Sequence, residues 1–426
     1  LRPRVAASGF NTYIVWDNAD PIAQSYGMVS NTEILFVAEL PYPAKADLEL
    51  LEVSPVQAIF DPIILVEGKL TLLRLKIMNT LGRPVDAQIK LAYQFAQSGQ
   101  IIFQDEVTET VNVKLGLREY YLPLSKFIEP IGEVFHATAT IDPENTIEEA
   151  DETNNVKSSP SVIVKNTRKS RVLYVPLNVT RSGELGYCIP VGTGEVPNWE
   201  DMISFVAGSS RFIQGAYPIG EQDYQEIFTS IPVQVDVPDQ SPYFETLGSF
   251  KYLTKDGLEY VLIKLQEKAY FSIPYVHAIV GVVSQDWFFA ATTRTESRGI
   301  GLGDTHWWGL PGAAIVEQQY VGGAVTAHEI AHTLGWVPLD FPLGNKHHIN
   351  LTTTGYWVAQ RRPVPPVLDF MSPSIGWDEE RWIGSLTFNF LLKQLKADPL
   401  DPDPTVILMR GVVFENSTTV LEPWYK

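Results

Sequence analysis

The residues with the clearest chemical capacity lie in Ala327-His328-Glu329-Ile330-Ala331-His332-Thr333-Leu334-Gly335. Two histidines four positions apart share one face of a helix, so both imidazoles can reach a single tetrahedral Zn²⁺ at about 2.0–2.1 Å. Glu329 follows the first histidine and is placed to act as general base toward a water molecule at that ion. Val325, Ile330 and Leu334 supply apolar contacts to hold such a helix on its domain. The alanines let it pack closely, and Gly335 suits the left-handed turn that would end it.

A helix of this kind needs a framework, and the surrounding chain predicts one. Arg171–Leu177 reads as a strand. Met202, Phe205, Val206, Phe212 and Ile213 have helical spacing, as do Leu258, Val261, Leu262 and Leu265. Tyr275–Val283 is an apolar strand, Ala313–Glu317 a short one, and Ser385–Lys396 a closing helix. Residues 171–397 are therefore expected to form an α/β domain. Ahead of it, residues 47–165 are all β. Leu73, Leu75 and Ile77 alternate with charged residues, as do Ile89, Leu91, Tyr93 and Phe95 with polar or small ones. Val111, Val113 and Leu115, and Phe135, Ala137, Ala139 and Ile141, repeat that period. Turn signals such as Ser98-Gly99 separate them, which predicts a β-sandwich. Asn166–Ser170 reads as a polar linker. Residues 1–46 are β-like but too short for a core of their own, and residues 406–426 look like the start of a further β unit.

Composition narrows the function classes. The 426 residues carry 32 Lys+Arg against 50 Asp+Glu, a formal charge of −18, which argues against a nucleic-acid partner. With 45% hydrophobic residues the chain can bury real cores. No apolar run of about 18 residues predicts a membrane span. The single cysteine, Cys188, excludes an intramolecular disulfide framework and is expected to be a buried structural thiol. His277, in an apolar strand, reads as a hydrogen-bonded core histidine. His306, in the Gly-rich approach Gly299–Trp308, lines a substrate channel or is an ordinary loop residue.

Two resemblances follow from these motifs. The stretch Ile141-Asp-Pro-Glu-Asn-Thr-Ile-Glu-Glu-Ala-Asp-Glu-Thr-Asn-Asn155 resembles the signature of CARDB modules, Ig-like domains of microbial surface and secreted proteins. That implies a spacer or adhesive role for residues 47–165. The spacing of its acidic residues does not match an EF-hand loop, so the stretch is expected to be a solvated acidic turn. The helix motif, with Asp369-Phe370-Met371-Ser372-Pro373 downstream, resembles the metzincin metallopeptidases. Secreted peptidases of the immune inhibitor A type, which join such a domain to β domains, are similar in architecture.

The metzincin resemblance implies that Met371 lies in a turn beneath the metal. It also implies that a strand beside the cleft aligns the substrate by backbone pairing, here assigned to Ala314, Ile315 and Val316. The family's third ligand would fall at Pro338, which has no donor. Asp340 is the first candidate to replace it, with His347 and His348 as alternatives and Glu379 or Glu380 as more distant ones. The expected activity is that of a zinc endopeptidase acting on protein or peptide, outside a prokaryotic cell or on its surface. The alternative is a structural protein of a cell-surface array or filament, self-assembling and retaining a degenerate peptidase fold.

Overall fold

The computed structural model describes residues 46–124, 134–182, 187–272, 276–293, 299–302, 311–318, 323–335, 352–372 and 380–395, except positions 61 and 63, and the backbone of short hairpin segments near each end. These residues are mostly β. At the ends, Arg2–Ser8 pairs with Asn11–Asp17, and Gly411–Val413 with Thr419–Leu421.

The sandwich has two sheets. Strands β1 (Leu48–Val56), β3 (Leu72–Asn79) and β6 (Gly116–Pro123) form one. The other runs β2 (Ile64–Val66), β9 (Val162–Lys165), β7 (Val134–Ile141), β4 (Val85–Gln97) and β5 (Gln100–Val113), with β8 (Val156–Ser158) also on β7. The predicted alternation is present. Ile89, Leu91, Tyr93 and Phe95 on β4 meet Phe135, Ala137, Ala139 and Ile141 of β7 in one buried core. Ser98 (φ 51°) and Gly99 (φ 83°) turn the β4–β5 hairpin, both left-handed as a tight hairpin turn requires. Leu115 departs from the pattern and is exposed, because the strand ends at Val113.

The acidic stretch is more than a solvated turn. Asp142 is buried and accepts hydrogen bonds from Thr146 Oγ1 and the Ile147 amide. Glu149 accepts from the Leu48 amide, and its burial pushes the carboxyl up to about 7.

The second domain is built on a mostly parallel sheet. The long β10 (Ser170–Ser182) pairs in parallel with β11 (Tyr224–Phe228) and β12 (Val233–Val237) along successive halves of one edge. On its other edge it pairs with β13 (Ala278–Val283), which pairs with β15 (Gly312–Glu317), also in parallel. The antiparallel β14 (Gly299–Leu302) completes the order beyond β15. Alternate residues of these strands serve two cores, so they read as continuous apolar runs. Val172, Tyr174, Val280, Val282 and Val316 pack with helix α1 (Trp199–Ala216). Leu173, Val175, Leu177, Ile279 and Ile315 pack with helix α2 (Lys255–Ser272). The helical residues predicted from spacing, Met202, Phe205, Val206, Phe212 and Ile213 on α1 and Leu258, Val261, Leu262 and Leu265 on α2, are all buried.

The two domains are joined by more than a linker. Thr167 is buried, the Arg168 amide donates to Leu395 O at 2.8 Å, and the Ser170 amide donates to Asp223 O at 2.6 Å. From the sandwich, Ala58, Ile59 and Val66 enter the same core as α1. Lys69, fully buried, donates from Nζ to Gln214 O at 2.6 Å, near the carbonyl end of α1.

Candidate metal centre

Helix α3 (Ala324–Thr333) carries the motif and packs against β14 and β15. Every residue from Val325 to Thr333 is buried. The Leu334 amide donates back to Ile330 and Ala331, and Gly335 takes φ 82°, the left-handed stop expected of it.

On this helix His328, Glu329 and His332 offer ligand atoms that all lie within 4.8 Å of one another. The two Nε2 atoms face each other at 3.0 Å. Tetrahedral zinc with about 2.0–2.1 Å bonds would hold them about 3.3 Å apart, so a few tenths of an ångström separate the site from a bound geometry. His328 Nδ1 lies 2.8 Å from Phe370 O. A carbonyl only accepts, so Nδ1 carries a proton, and Nε2, which faces His332, is the ring atom a metal would take. This is the tautomer that a metal-binding histidine needs.

The Phe370 carbonyl belongs to the turn Asp369–Ser372, closed by the Ser372 amide on Asp369 O. Asp369 is almost wholly buried. Its Oδ1 accepts from the Met371 amide at 2.8 Å and its Oδ2 from the Gly384 amide at 2.7 Å, while Thr387 Oγ1 donates to the carboxylate. Burial nevertheless pushes this carboxyl up to about 6. Tyr217 ties the turn to the helix: its ring stacks on Phe370 at 5.9 Å, and its hydroxyl donates to Ala327 O. Burial raises the Tyr217 phenol well above its ordinary range, which keeps it a donor. Met371 is buried in the core that also holds Ala327, Ile330 and Ala331.

The strand beside Glu329 is not the predicted one. Ala314, Ile315 and Val316 lie on β15, which is paired on both edges and buried throughout. Five of its six residues are apolar or small, which marks an interior strand. Among the described residues the edge belongs to β14, from the Gly-rich approach. A side chain at Gly299 would come within 2.7 Å of Glu329 Cγ and Oε1. One at Gly301 would meet Glu329 O at 2.7 Å and His332 Cβ at 3.0 Å. The alternate glycines thus let a backbone cross directly over Glu329 and His332.

Asp340, His347, His348, Glu379 and His306 lie outside the described residues. Glu380 is described and does not join the histidines. It is exposed and pairs with Arg362 at 2.7 Å. His277 accepts from the Arg171 amide through Nδ1 at 2.9 Å, a structural role. Cys188 is exposed, not buried as expected, because it begins the short strand Cys188–Pro190, which among the described residues pairs only with the end of β10. Sequence reasoning missed the Phe370 carbonyl and Tyr217. Backbone acceptors have no residue-type signature, but Gly299 and Gly301 two apart did signal a strand face bare of side chains.

Neither a family model nor a curated protein matches this chain. Among solved structures it is similar to a CARDB domain from Pyrococcus furiosus, determined in complex with two metal ions. Identity is 22%, covering 28% of this chain and 90% of that one, with a TM-score of 0.19. It is also similar to a domain of a Methanosarcina acetivorans protein given a cell-surface description, at 17% identity over 28% and 92% of the two chains, TM-score 0.18. A Paenibacillus cycloisomaltooligosaccharide glucanotransferase matches at 8% identity over 56% of this chain and 28% of that one, TM-score 0.20. Scores of this size carry no argument about activity.

Proposed function

We propose that this chain is a zinc-dependent endopeptidase acting outside the cell or on its surface. One observation carries the reading: His328 Nε2 and His332 Nε2 converge at 3.0 Å beside Glu329, with the Phe370 carbonyl behind the first ring. Two imidazoles with a carboxylate alongside are a donor set suited to zinc. When bound, zinc supplies Lewis acidity, polarising a scissile carbonyl and making water a nucleophile near neutral pH. Glu329 would take the proton of the attacking water and return it to the leaving amine. The edge strand β14 would pair with an extended peptide and hold it across Glu329. Asp340 remains the first candidate for the third ligand. The extracellular placement is supported by the CARDB-like signature Ile141–Asn155, and no described helix is long and apolar enough to cross a membrane.

The test is zinc content after dialysis together with Glu329→Gln. About one zinc per chain is expected in both proteins, with peptide hydrolysis reduced by about 10²–10⁴-fold in the variant, the usual worth of a general base. A folded protein that refuses zinc would favour the structural surface protein instead.

A further inference from the structure

The sandwich reaches the metal centre through an unbroken chain of hydrogen bonds. Between β1 and β2 the chain makes an excursion, Gln57–Phe60, toward the second domain. Gln57, fully buried, pins it: its amide donates to Val66 O and Thr71 Oγ1 and accepts from the Val66 amide, each at 3.0 Å. Ala58 O then accepts from the indole Nε1 of Trp382 at 2.7 Å. The Trp382 carbonyl accepts from the Phe370 amide at 2.8 Å. The Phe370 carbonyl accepts from His328 Nδ1, also at 2.8 Å.

The parts are fitted to one another. Trp382 is 1% exposed and packs between Trp357 and Phe212, with ring centroids at 5.0 and 5.7 Å. Gly355 bridges Ile59, and a side chain there would come within 2.5 Å of Ala58 O and collide with the indole. Two groups set the conformation of Phe370. Trp382 O holds the peptide unit before it, and Asp369 Oδ1 holds the Met371 amide of the unit after it. Without the first restraint, the Phe370 carbonyl is held only from the Asp369 side of the turn, and its aim at His328 is less fixed.

We propose that Trp382 is a positioning residue through which the N-terminal sandwich orients the imidazole of His328, so that the sandwich is a working part of the metal centre. This rests on the metal-binding reading above, but its first readout needs no metal. In the full chain, stripped of metal and labelled with ¹⁵N-histidine, the ring nitrogens report which of Nδ1 and Nε2 of His328 carries the proton. Trp382→Phe keeps an aromatic ring and removes the donor. Gln57→Leu loosens the excursion from the sandwich side and serves if the first variant fails to fold. Both are expected to erode the Nδ1–H form and to weaken zinc binding by about tenfold, the lower end of the range for groups behind a ligand. Lys69→Met cuts a different contact between the domains and should leave both readouts at the wild-type value.

An unchanged His328 tautomer in Trp382→Phe and Gln57→Leu overturns the proposal. So does an equal change in all three variants, since that is general loosening and not a directed restraint. A wild-type chain that takes no zinc would defeat the metal reading alone, and the tautomer comparison would still decide the role of Trp382.

Discussion

Asp369 supports the turn behind His328, and its titration gives a pH signature that can be isolated. Its carboxyl is pushed up to about 6 from an ordinary 3.8 because burial outweighs the donors from Met371, Gly384 and Thr387 and the charge of Arg381. The native state therefore binds this proton more tightly than the unfolded chain does. The associated stability is fully present below about pH 4 and is lost as pH rises through about 6. At about 1.4 kcal/mol per pH unit the gap is worth on the order of 3 kcal/mol. Asp369→Asn removes the titration. It also sets an amide NH₂ against one of the two backbone donors, Met371 or Gly384, at a pH-independent cost of about 1–3 kcal/mol. Denaturant unfolding of chelator-treated wild type and variant, from pH 4 to pH 7, provides the assay, because chelation removes protons linked to metal binding. The stability difference, wild type minus variant, should fall by about 2–3 kcal/mol across that range. A difference that stays level would refute the reasoning. One that rises with pH would mean that the donors and Arg381 outweigh burial.

Gly299→Ala should retain zinc but reduce peptide hydrolysis by about 10²-fold. Its Cβ at 2.7 Å from Glu329 must displace that side chain or the strand by about 1 Å; unchanged turnover would mean that Glu329 tolerates the shift. Lys69, brought down to about 8 by burial, holds its proton less tightly in the folded chain than in the unfolded one. Wild-type stability relative to Lys69→Met should therefore increase as pH rises from about 8 to about 10.5, and a flat difference in melting temperature would count against this. Residues 47–165 expressed alone should give the circular dichroism of a β-sandwich, since the strands have their own buried core. A disordered spectrum would show that the contacts of Ala58, Ile59 and Val66 with the second domain are needed for folding.

Local periodicity made the helix of His328 and His332 and most of the sandwich legible in the sequence. The 3.6-residue repeat places His328 and His332 on one face whatever surrounds them, and Gly335 marks the end of the helix by its own backbone freedom. Alternation from Ile89 to Phe95 likewise declares a half-buried strand before any partner is known. Strand order was different. Ala314–Val316 and Gly299–Leu302 are both short, and which of them lies at the edge depends on neighbours that local pattern does not name. The exposure of Cys188 was decided in the same way, by what the end of β10 left uncovered. Least legible was the support behind His328. It consists of carbonyls on Phe370, Trp382 and Ala58, the last bonded to an indole 324 residues away. A main-chain acceptor is common to every residue type, so only the tertiary fold could select these three.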